Sequence, residues 1–356
     1  MIKEIYEQPE VVQRIIDEHI DMKNKRVLFK DFAISPKRIS GIKRFILVGC
    51  GTSYHAALLG KYFLASCAGI ESEAEYADEF AGRKARVDKD TLVIAISQSG
   101  KTGDEIKAAR AAKKQKALVI AITNGIDSPL DRLSDYTIFN QAGQEQALAA
   151  TKTFTSQILL LAAFAVFIGQ NKKTANTKIC SQFFKEIGQL PKKIAGILKQ
   201  NVHFEILANK YCKSEGLLVL GKGFQFPLAL EAALKIKEST YIHGEGFAAS
   251  EFLHGPLAIC NKNMPCLFFA PRDECFKELK AIIKRIKSLK RKALVFSSAG
   301  NRQLLKLADD VVFLPKTIDI FFPLLAIIPL QILAFHIALL RGVNPDKPRY
   351  LNKFVG

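Results

Sequence analysis

Four apolar runs in the first half of the chain share one layout. Phe45-Ile46-Leu47-Val48 ends in Gly49-Cys50-Gly51, and a stretch of helical spacing follows from Ser53 to Ser66. Thr91-Leu92-Val93-Ile94-Ala95-Ile96 ends in Ser97-Gln98-Ser99-Gly100, ahead of a second helical stretch from about Asp104 to Lys116. Ala117-Leu118-Val119-Ile120-Ala121-Ile122 ends in Thr123-Asn124-Gly125, and Tyr136-Thr137-Ile138-Phe139 is the fourth run. Runs that are apolar without alternation predict strands buried on both faces, and their spacing by helices predicts a parallel sheet of βα units. Earlier in the chain, residues 7–24 place Val11, Val12, Ile15, Ile16, His19 and Ile20 at helical spacing, which predicts an amphipathic N-terminal helix.

The second half repeats the layout. Gly49-Cys50-Gly51 aligns with Gly221-Lys222-Gly223 at an offset of 172 residues, which also carries Val93-Ile94 onto Pro265-Cys266. Ala117-Leu118-Val119-Ile120 aligns with Ala293-Leu294-Val295-Phe296 at 176, and Asp135 to Phe139 with Asp309 to Phe313 at 174. The pattern predicts two copies of one α/β sandwich, joined by a helical connection through residues 155–212. Ile320 to Leu340 is long and apolar enough to span a bilayer, with only Gln331 and His336 clearly polar. Pro323 and Pro329 interrupt it, no second segment of similar length is read, and Ile158 to Gly169 suits a shorter core helix. The reading taken is burial in a core or a subunit interface, without a membrane.

Composition narrows the class. The chain has 356 residues, 49% hydrophobic and 24% charged, which excludes a disordered tail, a collagen or a disulfide miniprotein. Its formal net charge is +18, which attracts anions. The basic groups, such as Lys113-Lys114-Gln115-Lys116 and Lys290-Arg291-Lys292, lie beside ordinary periodic stretches, so they read as a solvated surface and no nucleic acid is expected. Seven cysteines include no CxxC, and neither zinc nor a disulfide framework is expected. Met1-Ile2-Lys3-Glu4-Ile5 is charged where a signal peptide is apolar, so the expected compartment is the cytoplasm.

Candidate chemistry sits in three places. Thr52 and Ser53 after the first run, and Ser97, Gln98, Ser99 and Thr102 after the second, are hydroxyls and an amide at strand ends before helices. Such positions suit a phosphate monoester, because helix N-terminal amides and hydroxyls donate to it. Simple helix capping selects the same residues. The pattern is neither Walker A nor Gly-x-Gly-x-x-Gly, so no nucleotide is expected. In Glu231-Ala232-Ala233-Leu234-Lys235-Ile236-Lys237-Glu238, Lys235 and Glu238 share a helix face, either as a surface ion pair or as a carboxylate poised to move a proton between carbons. His254 precedes Gly255-Pro256, which puts it in a turn. No histidine shows ligand spacing, and no metal or cofactor is expected.

Together these segments resemble the isomerase half of glucosamine-6-phosphate synthase, also called glutamine–fructose-6-phosphate aminotransferase. The resemblance covers nearly the whole chain and is carried by Lys3-Glu4-Ile5-Tyr6-Glu7-Gln8-Pro9, Cys50-Gly51-Thr52-Ser53-Tyr54, Ser97-Gln98-Ser99-Gly100, Thr151-Lys152, Ala233 to Glu238, Tyr241-Ile242-His243, His254-Gly255-Pro256-Leu257-Ala258 and Pro348-Arg349. It implies an α/β fold of two tandem sugar-isomerase (SIS) domains, each a parallel sheet sandwiched by helices. The boundaries expected are a helical segment at 1–40, domains at 41–190 and 200–340, and a catalytic tail at 341–356.

The resemblance also implies roles. Thr52, Ser53, Ser97, Gln98, Ser99 and Thr102 match sugar-phosphate loops, and Leu148 lines a nearby sugar segment. Glu238 matches the base that shuttles a proton between C1 and C2, and Lys235 a lysine assisting it. His254 matches a ring-opening histidine that reaches a neighbouring subunit's site, which implies a homodimer. Lys353 matches a tail lysine that forms an imine with open-chain fructose 6-phosphate. Ala150, Ser250 and Leu253 depart from the common Ser, Gly and Lys, and bear on sugar preference. The chain starts at the isomerase half, so no glutaminase is expected within it. The expected activity is a standalone glucosamine-6-phosphate deaminase/isomerase. The alternatives are a synthase half with a separate glutaminase partner and a non-catalytic phosphosugar regulator.

Overall fold

The computed structural model describes residues 1–29, 32 and 34–352. After helices Ile2–Tyr6 and Gln8–His19, a minimal hairpin pairs β1 (Ile20–Asp21) with β2 (Arg26–Val27). The amphipathic helix expected over 7–24 therefore stops at His19, because Ile20 is drawn into pairing with Val27. Val11, Val12, Ile15 and Ile16 form its buried face as the spacing requires.

The first sheet contains β3 (Arg44–Gly49), β4 (Glu73–Tyr76), β5 (Thr91–Ser97), β6 (Leu118–Thr123) and β7 (Tyr136–Phe139), in the order β4-β3-β5-β6-β7. The second contains β8 (Gly216–Gly221), β9 (His243–Ala248), β10 (Cys266–Phe269), β11 (Ala293–Ser298) and β12 (Asp310–Leu314), in the order β12-β11-β10-β8-β9. Every pairing within both is parallel. Read from its β4 or β9 edge, each sheet has the same strand order.

The register repeats as well. Ile46 pairs with Glu73 and Val93, as Leu218 pairs with Glu245 and Cys266. Val93 pairs with Val119, as Cys266 pairs with Ala293, and Ile120 with Tyr136, as Leu294 with Asp310. These pairs correct two expected offsets. Val93 corresponds to Cys266, and Val119, rather than Ala117, corresponds to Ala293. Side-chain bonds repeat with them: Val119 N–H donates to Asp135, as Ala293 N–H donates to Asp309, and Lys113 and Lys287 grip the same two carboxylates.

The chain divides into two compact units that interleave along the sequence. One comprises 7–145 and 152–189 with the first sheet; the other comprises 1–6, 146–151 and 190–351 with the second. In the first, Ile46, Val48, Val93, Ala95, Val119 and Ala121 present one face to Ala77, Phe80, Ala108, Ala109 and Ala112. In the second, Leu218, Leu220, Phe268 and Val295 face Leu279, Ile282, Ile283 and Ile286 of helix Phe276–Ser288. Each buried Ile, Leu or Phe contributes about 1.5–3 kcal/mol.

The apolar segment near the C-terminus is helix Phe322–Leu340, with Pro323 in its first turn and Pro329 inside it. A second helix, Lys152–Lys172, is also long and apolar enough to cross a membrane, which the shorter reading of Ile158 to Gly169 had missed. In both, 94% of the apolar window is buried within the protein. Helices Thr177–Ile187, Leu190–Leu198 and Asn201–Tyr211 complete the connection between the sheets.

Candidate functional site

Two hydroxyl loops leave the carboxyl ends of the adjacent strands β3 and β5. After β3, Gly49 packs against the next helix so tightly that a Cβ would meet the Ser53 carbonyl carbon at 2.7 Å. Only glycine permits that approach, and it sets helix Thr52–Phe63 close over the strand end. Ser53 is buried there, and its Oγ accepts from Gln157 Nε2 at 3.1 Å.

After β5 the backbone turns through Gly100, whose φ of +65° lies in the left-handed region. Gly100 N–H donates to Ser97 Oγ at 3.0 Å, and Lys101 N–H to Ser99 Oγ at 3.1 Å. Thr102 stands at the N-cap of helix Gly103–Lys114 without a side-chain cap bond. Ser97 and Ser99 thus bind amides of the turn ahead of the helix, and none of the three hydroxyls caps it. A hydroxyl that accepts an amide still has its own proton to donate; the Ser97 hydroxyl interacts with Glu105, and that of Ser99 suits an anion. Gln98 Nε2 donates to Glu145 Oε2 at 2.8 Å, and that carboxylate also accepts from Thr153 Oγ1 at 2.8 Å. Burial of Cys50 between the loops pushes its thiol up to about 12, with Glu105 and Asp104 adding to the effect.

In the other unit, helix Gln225–Thr240 carries Glu231, Lys235 and Glu238 on one face. Lys235 Nζ donates to Glu238 Oε2 at 2.6 Å and lies 3.5 Å from Glu231 Oε1. The Lys235 and Glu231 side chains are 1% and 0% exposed, while that of Glu238 is 21% exposed. This is no surface ion pair. A buried ammonium is flanked by two carboxylates, and Glu238 is the member open to a reactant. Glu231 was not singled out from the sequence, although its place one turn before Lys235 was the available signal.

The helix ends at Tyr241, which adopts φ 57°. Arg341 Nε donates to the Thr240 carbonyl at 2.9 Å. Further along the tail, Arg349 N–H donates to Tyr241 Oη at 2.6 Å, and its guanidinium lies 4.3 Å from the ring centre. The tail is thereby fixed one turn past Glu238. Lys353 lies outside the described residues. Leu148 N–H donates to the Asp346 carbonyl at 3.2 Å, so the predicted sugar segment is held to the same tail. His254 is exposed at the end of the short 3-10 turn Glu251–His254.

The motif at residues 3–9 braces the segment between the hydroxyl loops and helix Lys152–Lys172. Glu4 Oε1 accepts from the amides of Gln146 and Ala147. Glu7 Oε2 accepts from the buried Lys152 Nζ at 2.7 Å, and Gln8 Oε1 accepts from Thr155 Oγ1. Among the described residues no cluster of three or more His, Cys, Asp or Glu could hold a metal ion.

The family model of the SIS domain matches twice, at residues 38–167 and 210–341. The chain belongs to the SIS domain family. It is 38% identical over 355 residues to the isomerizing glutamine–fructose-6-phosphate aminotransferase of Chlorobaculum tepidum, and 36% identical to that of Bacteroides thetaiotaomicron. In each comparison it is covered entirely and spans 58% of the relative's length. The C-terminal domain of glucosamine-fructose-6-phosphate aminotransferase from Francisella tularensis superposes with a TM-score of 0.91 at 31% identity, covering 98% of both chains. A glucosamine-6-phosphate deaminase from Thermotoga maritima shares the fold, with a TM-score of 0.70 at 24% identity. By family the SIS chain is a phosphosugar isomerase, close to the isomerase part of those aminotransferases.

Proposed function

We propose that this SIS chain interconverts fructose 6-phosphate and glucosamine 6-phosphate by proton transfer between C1 and C2. The observation that carries the reading is the grip of buried Lys235 on Glu238, which fixes a carboxylate oxygen while the side chain stays open on one side. Thr52, Ser53, Ser97, Gln98, Ser99 and Thr102 hold the phosphate, and Leu148 lines the sugar. His254 assists ring opening from a neighbouring subunit of a homodimer. Lys353 forms the imine with the open-chain ketose, releasing water, and ammonia then displaces the lysine amine to leave the free ketimine of fructose 6-phosphate. An imine at C2 makes the C1 proton more acidic, and Glu238 takes it and returns it to C2. In the opposite direction the proton moves from C2 to C1, and hydrolysis of the ketimine releases ammonia.

The release of ammonia defines the first reading, a glucosamine-6-phosphate deaminase/isomerase. The identity to aminotransferases supports a second, an isomerase half fed with ammonia by a glutaminase partner. A coupled assay of the purified protein with glucosamine 6-phosphate, following ammonia and fructose 6-phosphate, separates them. Release of both products supports the deaminase. Conversion of fructose 6-phosphate to glucose 6-phosphate without ammonia release supports the isomerase half. Silence in both assays overturns the catalytic reading.

A further inference from the structure

Beneath the two hydroxyl loops lies a carboxyl group to which the phosphate reading gives no task. Glu105 is the third residue of helix Gly103–Lys114, so Thr102-Gly103-Asp104-Glu105 has the spacing of a capping box. In that motif the glutamate turns back to the N-cap backbone N–H. Here Glu105 reaches instead into the neighbouring loop, where its Oε1 accepts from Cys50 N–H at 3.3 Å. The residue is 2% exposed, and its Oε2 is sealed from solvent with no hydrogen-bond partner. A carboxylate oxygen in that position is costly. A proton on the carboxyl removes that charge, and the Ser97 and Thr102 hydroxyls are within reach of the group.

We propose that Glu105 is a positioning residue of the phosphate site: as the neutral acid it ties the Cys50 loop to the Ser97–Thr102 loop and keeps negative charge away from the substrate's phosphate. The inference rests on the reading that these loops take a phosphate. Burial pushes the Glu105 carboxyl up to about 8, and Asp104 on the same helix pushes the same way. The Ser97 and Thr102 hydroxyls and the Cys50 amide pull it down by less. From the other elements, the Cys50 thiol faces it from the β3 loop, and Asp78 of helix Ala77–Gly82 lies near that thiol. A bound phosphate dianion favours the protonated form further. Affinity for phosphate is therefore full below the raised value and is lost as pH climbs through it, because binding must then take up a proton.

The test is calorimetric binding of glucitol 6-phosphate, which has no carbonyl and forms no imine, to wild type and E105Q at pH 7 and pH 9. The carboxamide of E105Q has the shape of the neutral acid, and thermal melts of the same samples report folding. In wild type the Kd is expected to rise about tenfold between the two pH values. In E105Q the ratio is expected to stay within about twofold. The same ratio in both proteins, large or near one, removes Glu105 from the phosphate site and leaves the phosphate reading standing. Failure of wild type to bind the hexitol phosphate at pH 7 overturns both.

Discussion

Lys235 and Glu238 meet at 2.6 Å across one helical turn, with the lysine side chain 1% and the carboxylate side chain 21% exposed. The lysine is also the counter-charge of the fully buried Glu231. Lys235→Met therefore removes a counter-charge of the buried Glu231. Removing one member of a buried pair costs about 3–5 kcal/mol. In a protein of this size that corresponds to a fall in Tm of roughly 5 °C. The Glu231→Gln/Lys235→Met double variant removes both charges and is expected to recover part of the loss. Differential scanning calorimetry of the three proteins checks the order.

Glu238→Gln keeps the shape of the side chain and removes the base. Turnover is expected to fall by about 10²–10⁴-fold, the range supplied by a positioned general base. The readout is solvent deuterium entering C1 or C2 of the hexose phosphate, followed by NMR. Exchange at the wild-type rate would remove Glu238 from the proton transfer.

Glu105 also makes stability depend on pH. Its folded-state value of about 8 lies above the ordinary glutamate value of 4.5, so the folded protein binds the proton more tightly than the unfolded chain. The neutral acid is accommodated in full below the unfolded value. As pH rises from there to the folded value, the unfolded chain ionises and stability falls, by about 3 kcal/mol at pH 7. Glu105→Gln removes that slope. Urea melts at pH 5 and pH 8 are expected to show a smaller difference in the variant than in wild type.

Cys260 and Cys266 have sulfurs 3.8 Å apart, and the two thiols differ. Hydrogen bonding from Cys266, assisted by Arg291, brings Cys260 down to about 7, while the same contact and burial push Cys266 up. The thiolate of Cys260 grows as pH rises through about 7. Iodoacetamide at neutral pH is expected to label Cys260 well before Cys266, with a rate midpoint near pH 7 by peptide mass spectrometry. Equal labelling of both would refute the assignment.

The strands that form the middle of each sheet were legible because burial on both faces leaves uninterrupted apolar runs. The edges were not. Glu73-Ala74-Glu75-Tyr76 and His243-Gly244-Glu245-Gly246-Phe247-Ala248 are half-exposed, so β4 and β9 carry no apolar signature. The slip that matched Ala117 with Ala293 has a related cause. A run apolar on both faces looks the same after a shift of two residues, and only pairing with neighbouring strands fixes it. The hydroxyl loops could be read because phosphate chemistry concentrates at strand ends. Glu105 could not, since its spacing is that of an ordinary capping box and only the fold brings Cys50 above it.

The repeated register also locates differences of length between the two halves. Gly49 opposite Tyr76 corresponds to Gly221 opposite Ala248. From Tyr76 to Val93 is 17 positions, and from Ala248 to Cys266 is 18. In the first copy that connection winds into helix Ala77–Gly82; in the second it becomes two 3-10 turns carrying His254. A difference of one residue and a rebuilt backbone thus separate helix Ala77–Gly82 from the turns that carry His254, while the flanking strands keep step. The differences of length between the two halves fall in the connections, and the hydrogen-bonded ladders hold one register across both.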